Sequence, residues 1–303
     1  MSDIILHHYP MSPFSEKMRA MLGYAGLSWQ SVIHKEMPPR PQLARLAGGY
    51  RKIPVAQIGA DIFCDTRTIS SEIVALAGKQ ELALEHCADD IRAFVRKVDL
   101  DLFFPCVLVG AGKKLNRKAL KSMSFLDLLR FIWDRINLGR KSAVKIPGAK
   151  QSYPLVKAHL EDLEQRLQQD FLFGDSPTVA DFSTYHGLWF IRDMGEKSLI
   201  RDFPKINAWM DRIKAFGHGS TQEISAADAI SIAAKATPRT IPREQQQDVR
   251  IGTQVSIAPD DYGQVPTTGK LVGCTPESWI IARQDPEAGT IHVHFPRQGF
   301  QLS

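Results

Sequence analysis

Cysteine is scarce in this chain, and the four present, Cys64, Cys87, Cys106 and Cys274, are scattered along it. None forms a CxxC pair or stands with histidine at metal-ligand spacing, so neither a zinc site nor a dithiol redox motif is read here. No secretory leader is read at the amino end, and the thiols are expected to be reduced, in a cytoplasmic protein. Long apolar runs are also missing. The best one, Leu100 to Val109, is cut by Asp101 and Pro105 and is too short to cross a bilayer. Charge of one sign is not concentrated. A net charge of +5 with a pI near 9.0 favours small anions slightly, and is too diffuse to indicate nucleic acid. There is no internal repeat. What is present is an ordinary globular composition, 44% hydrophobic and 23% charged over 303 residues, with room for two domains and a sizeable core.

The first 80 residues alternate between strand and helix signals. Ile4 to Tyr9 reads as a short strand. Met18, Met21, Leu22 and Ala25 then recur at helical spacing, with Gly26 as a stop. A second extended stretch, Trp29 to Lys35, precedes the proline-broken run 37–41 and a short helix over 42–47 ended by Gly48-Gly49. Ile53–Ile58 and Ile62–Cys64 face each other across the turn Gly59-Ala60-Asp61 as a hairpin. Asp65-Thr66 opens a helix ended by Gly78. The order β-α-β-α-β-β-α predicts a sheet with helices packed on it.

From Ala83 onward the period becomes helical, with helices expected over 87–104, 116–138, 152–170, 178–193 and 204–216. The alanine-rich stretch 220–236 is expected to be helical too. Residues 237–247, polar and proline-bearing, read as a linker. Beyond it, Arg250–Ile257, Gly269–Gly273, Trp279–Arg283 and Thr290–Phe295 are β-type runs separated by turns, as in a small barrel or sandwich. The domain reading is therefore 1–80, 83–236, linker 237–247, and a β module over 248–303.

Ser12 stands where the first strand ends and the positive end of a helix begins. Pro13 is tolerated there because its missing N–H has no intrahelical partner. The hydroxyl is equally suited to capping the helix and to meeting an anion. Thr178-Val179-Ala180-Asp181 has the spacing of a capping box, a purely structural device. His7 and His8 read as sheet residues. His292 and His294 share one face of a strand but lack a third ligand, and read as ordinary surface histidines. The basic run 113–121 reads as a solvated loop and helix start.

Three signals together resemble the glutathione transferase family, serine type. They are Ser12-Pro13-Phe14-Ser15 after the first strand, Ile53-Pro54 followed by Asp65-Thr66, and Phe171–Asp181 with its capping box. The resemblance covers about three quarters of the chain and leaves the terminal β module outside. It implies an α/β thioredoxin-like domain, then an all-α domain, then the small all-β module. It also implies an enzyme that binds glutathione as co-substrate, without a metal, and activates its thiol toward a hydrophobic or electrophilic small molecule. A homodimer is expected, with no nucleic-acid or membrane partner. The alternatives are a non-catalytic glutathione-binding or scaffold protein, or a glutathione-dependent lyase, isomerase or reductase.

The chemistry follows from the residue types. A thiol with a pKa of about 8.5 is mostly protonated near neutrality, and lowering it by two units takes about 2.7 kcal/mol of preference for the anion. A hydroxyl donating to the thiolate supplies about 1.5–3 kcal/mol, and a helix N-terminus about 0.3–1 kcal/mol. Ser12 is thus expected at the sulfur as a donor, with Ser15 as its backup. With serine at both positions, disulfide exchange by the protein's own thiols is not expected. A cis bond before Pro54 is expected to present the Ile53 backbone to the cysteinyl unit. Asp65 and Thr66 are expected at the γ-glutamyl end, where Asp65 replaces the family's usual Glu and shortens the reach. Gln42 or Lys52 is expected at the glycyl carboxylate. The second substrate is expected between the domains, against Met11, Phe103, Phe104 and Cys106, with Trp133 as an addition.

Overall fold

The computed structural model describes residues 4–122, 124–140 and 147–303. Residue 123 of the expected helix 116–138, and residues 1–3 and 141–146 of the two expected domains, lie outside the described residues.

Strand β1 (Ile4–His8) is buried along its whole length because it runs through the middle of a sheet. Beside it lie β2 (Ser28–Ile33), parallel, and β3 (Val55–Ile58), antiparallel. Strand β4 (Asp61–Cys64) closes the β3 hairpin. Helices α1 (Pro13–Tyr24), α2 (Pro41–Ala47) and α3 (Thr66–Ala77) complete the expected β-α-β-α-β-β-α order. This is a thioredoxin-like domain.

The helical domain follows. Helix α4 (Asp89–Arg96) continues through a π-helical turn, Lys97–Leu102, into α5 (Phe103–Gly110). The helix expected over 116–138 is two helices, α6 (Lys113–Ser122) and α7 (Phe125–Arg140). The break has a local cause: the Ser124 hydroxyl accepts the Asp127 amide at 3.1 Å and donates to its carboxylate at 2.8 Å, a fresh helix start. After them come α8 (Ala149–Arg166), α9 (Val179–Trp189) and α10 (Pro204–Ala215). Helix α9 is buried on all sides. The core runs without interruption from Met18 and Met21 of α1 to Phe182 of α9 and Trp209 of α10, so the two domains share one apolar interior.

The capping box at Thr178 forms. Its hydroxyl accepts the Ala180 amide, while Asp181 accepts the Thr178 amide at 2.8 Å and, on its other oxygen, the Leu172 amide and the Trp209 indole N–H, each at 2.9 Å.

Beyond Phe216 the chain departs from expectation. Ser220–Glu223 is a strand, β5, which pairs in parallel with β2 at the sheet's outer edge. Helix α11 (Ala226–Lys235) packs on β2 and α2 of the first domain and on β9 of the terminal strands. All four side chains of β5 are exposed, so no alternation marked it as a strand. The open edge of β2 orders it.

The last strands, β6 (Gln254–Pro259), β7 (Thr267–Cys274), β8 (Ser278–Asp285), β9 (Gly289–Pro296) and β10 (Phe300–Leu302), form no separate barrel or sandwich. They continue the first domain's sheet, because β9 runs parallel to β4 with Ile62 opposite Val293. One ten-stranded sheet results, in the order β10-β6-β7-β8-β9-β4-β3-β1-β2-β5. The free edge that β4 would otherwise present is covered. The apolar cluster beneath the junction joins Leu43, Ile62 and Cys64 to Ile281, Val293 and Phe295. The expected linker is docked as well: the Arg239 amide donates to Asp61 at 2.9 Å and its guanidinium pairs with Glu72 at 2.8 Å.

Candidate ligand site between sheet and helices

A cavity of about 440 Å³ opens where the first domain, the helical domain and the terminal strands meet. The first domain contributes Phe14, Lys52, Ile53, Pro54, Asp65, Thr66 and Arg67. Arg92, Val95, Arg96, Asp99 and Leu100 come from the α4 region, and Asp260, Asp261, Tyr262, Gln298 and Gly299 from the terminal strands and turns. Five residues singled out in the sequence, Lys52, Ile53, Pro54, Asp65 and Thr66, therefore line one cavity. The Ile53–Pro54 peptide is cis.

Asp65 caps α3 by accepting the Arg67 amide at 3.1 Å. Its φ is 82° and its ψ 146°, a backbone state that side chains rarely adopt and that clusters at functional positions. Burial alone would raise its carboxyl pKa. The Arg67 guanidinium, 3.0 Å away, and Lys52 outweigh burial and hold it below the ordinary value, as a carboxylate. Beside it is the start of α3 at Thr66, an anion-attracting helix end.

The remaining expected residues are placed differently. Ser12 is 3% exposed, and its oxygen accepts the Ser15 amide at 3.2 Å, so it is the N-cap of α1. It is not part of the cavity lining; Phe14, two residues on, is. Ser15 is fully buried, and its hydroxyl has no hydrogen-bond partner among the described residues. Gln42 is exposed on α2, whose inward face is Leu43, Leu46 and Ala47, and it lies outside the lining. Met11, Phe103, Phe104 and Cys106 do not line the cavity either. Phe103 and Phe104 stand behind it, packed on the lining residues Phe14 at 4.5 Å and Tyr262 at 5.4 Å. Cys106 is buried, which pushes its thiol up to about 12. Trp133 is 69% exposed on α7.

Three groups escaped the sequence reading. Lys17, 2% exposed in its side chain, donates to Asp99 at 2.9 Å across the domain boundary. His186 lies 4.7 Å from Phe14 and is pushed down to about 4 by burial. The third is the Asp260–Tyr262 turn, far along the chain from every other wall of the cavity. A lysine in the apolar stripe of α1 was a local sign of the first. The turn itself is marked locally by Asp260-Asp261-Tyr262-Gly263, but nothing local signals that it reaches the cavity.

His292 is half-buried, and His294 is not a free surface group. His294 shares a 2.8 Å hydrogen bond with Asp61 and stacks on Phe63 at 4.5 Å, at the β4–β9 junction. Burial would raise the Asp61 pKa, but His294 and Arg239 outweigh it and lower it. No helix among the described residues is long and apolar enough to cross a membrane.

A thioredoxin-like domain followed by an all-helical domain, with a cis-proline and an acidic helix start lining the cleft, defines the class of fold. Comparisons with known proteins agree. Residues 6–81 match the family model for the glutathione S-transferase N-terminal domain, and residues 149–212 that for the C-terminal domain. The crystal structure of a GST-like protein from Pseudomonas syringae is 33% identical with a TM-score of 0.80, and the match covers 100% of this chain and 99% of that one. That relative therefore carries the terminal strands too. FzlA from C. crescentus is 23% identical over 70% of this chain and 88% of its own, TM-score 0.46. A glutathione transferase family member from Pseudomonas fluorescens Pf-5, solved with two glutathione bound, is 17% identical over 71% and 89%, TM-score 0.49. No curated protein matches the chain. The chain belongs to the glutathione S-transferase family.

Proposed function

We propose that the chain binds glutathione in this cavity and activates its thiol for attack on an electrophilic small molecule. One observation carries the reading: the cis Ile53–Pro54 peptide, the Asp65-Thr66 helix start and Phe14 at the head of α1 line a single cavity. Thr66 and the N-terminus of α3 receive the γ-glutamyl carboxylate, and Asp65 receives the ammonium. Ile53 offers its backbone to the cysteinyl unit in strand fashion. The sulfur lies toward the start of α1, where Ser12 donates its hydroxyl proton. Val95 and Leu100 give the second substrate an apolar wall. A cytoplasmic homodimer is part of the proposal, and sedimentation should then read twice the 33.9 kDa chain mass.

Retention on immobilised glutathione, a rise in melting temperature with millimolar glutathione, and thiol-dependent turnover across a panel of electrophiles test the proposal. Absence of all three refutes it. The placement of Ser12 favours one second reading, a glutathione-binding protein without turnover, since the hydroxyl already serves as a cap and stands outside the lining. Binding with no turnover on any electrophile selects that reading.

A further inference from the structure

Counted by element, the net charge of +5 is not spread over the chain. Helices α6 and α7 and the residues between them, 113–140, hold eight Lys or Arg against two Asp, a net of +6. The rest of the chain holds thirty against thirty-one. Lys113, Lys114, Arg117 and Lys121 of α6 are exposed, as is Arg130 of α7. Lys114 meets Glu196 at 3.1 Å, and Arg130 meets Asp127 at 3.4 Å. Lys113, Arg117 and Lys121 form no ion pair among the described residues, so their charge faces solvent.

The same two helices carry half of the large apolar side chains that stay exposed among the described residues. One is Leu120 of α6. The others, Leu126, Leu129, Ile132, Trp133 and Ile136 of α7, are each between 42% and 69% exposed. At 3.6 residues per turn these five fall within an arc of about 120°, a stripe about 15 Å long. Arg130 borders the stripe. Asp134 lies off it and pairs with Arg51 of the first domain at 2.7 Å, which fixes the helix with its stripe outward. A contiguous apolar stripe left in water marks a contact surface.

The charge selects the partner. Two copies meeting symmetrically through this face would each bring a net of +6, so self-pairing is opposed. Nucleic acid would draw on flat rings for stacking, whereas four of the five stripe residues are Leu or Ile. An anionic bilayer answers both features. Its phosphates attract the cations, and the acyl boundary takes the Leu and Ile side chains, with a Trp at the level of the headgroups. We infer that α6 and α7 dock the chain reversibly on an anionic membrane surface, lying on it without spanning it. The expectation of no membrane partner rested on whole-chain charge and spanning length, and neither describes a single face.

The test is co-sedimentation of the full chain with vesicles of phosphatidylcholine alone and of phosphatidylcholine mixed equally with phosphatidylglycerol. The wild type should partition onto the anionic vesicles about a hundredfold more strongly, and the preference should shrink as salt is added. Replacing Lys113, Arg117 and Lys121 together by Gln should remove most of that preference, at about fivefold per cation. Leu126→Ser with Trp133→Ser should weaken binding to the anionic vesicles by about tenfold or more. Equal partitioning onto both vesicles, or onto neither, overturns the inference, and this wild-type ratio decides even where a variant fails to fold. Binding to duplex DNA or polyglutamate that matches the vesicles and ignores the two Ser substitutions also overturns it. So does self-association in the absence of lipid that those substitutions abolish, since the stripe would then be a subunit interface.

Discussion

The oxygen of Ser12 accepts the Ser15 amide at 3.2 Å, which leaves the hydroxyl proton as what it can offer a thiolate. A cap and a sulfur donor are compatible roles, because one uses a lone pair and the other the proton. They separate under substitution. Ser12→Ala should lower stability by about 1 kcal/mol through the lost cap, read by the denaturant midpoint. If the hydroxyl also meets the thiolate, turnover should fall about ten- to a hundredfold, the value of a hydrogen bond to a charged group. The ultraviolet absorbance of the bound thiolate should then titrate at higher pH. A lower midpoint with unchanged turnover would reduce Ser12 to its cap.

At the scale of elements, the Lys17–Asp99 pair ties α1 to the π-helical turn after α4, and so fixes the two walls of the cavity against each other. Ser183 of α9 stands 3.4 Å from the same Asp99 oxygen. Removing one partner of a buried pair strands the other, which costs about 3–5 kcal/mol. Replacing both with apolar groups costs far less. Since Asp99 is 19% exposed, Lys17→Met should sit at the low end, about 3 kcal/mol, and Lys17→Met with Asp99→Leu should recover most of it. A single variant with the wild-type midpoint would show the pair to be dispensable.

Elements whose signals are local were legible in advance: the α1 start at Pro13, the Asp65 and Thr178 caps, and the β3–β4 hairpin. Lys52, Ile53, Pro54, Asp65 and Thr66 were singled out through the family resemblance, Lys52 only beside Gln42, and it is the fold that brings the five to one cavity. The attachment of β9 to β4 was not legible, because a parallel partner is chosen by a distant edge and no residue of 289–296 names it. Gly48-Gly49 shows the same limit. The pair reads as a helix stop, and Gly48 does end α2 with a positive φ of 64°. But a Cβ on Gly49 would collide with the Pro266 carbonyl, so that glycine also admits the β6–β7 connection. That connection carries Asp261, the part of the cavity that the sequence could not place.

At the scale of the whole molecule, five histidines among the described residues are held neutral mainly by burial. His7, His159 and His186 are pushed down to about 4, and His8 and His34 to about 3, with burial as the main cause in each. His7 shares hydrogen bonds with His34 and Gln57, and His8 with Ser31 and Arg19, so protonation also disturbs a packed network under β1. Because each folded pKa lies below the unfolded value of about 6.5, the stabilisation is present above pH 6.5 and is lost as pH falls toward 4 and below. The melting temperature should accordingly hold steady from pH 8 to 7 and drop steeply between about pH 6.5 and 4. A profile that stays flat to pH 5 would contradict this burial.

The same scale decides whether the terminal strands are an appendage. Val293 and Phe295 of β9 and Ile281 of β8 are fully buried, and they cover Ile62 of β4 in one apolar cluster. Each such side chain contributes about 1.5–3 kcal/mol by leaving water, so a chain ending at residue 247 exposes more apolar surface than a margin of about 5–15 kcal/mol tolerates. It also bares the parallel edge of β4, a template for pairing with other chains. The truncated chain should therefore be recovered insoluble, where a true appendage would leave a soluble core that melts cooperatively. A soluble core would still lack Asp261, Tyr262 and Gln298 from the cavity wall. Loss of its thermal stabilisation by glutathione would then place part of the ligand site in the strands that were removed.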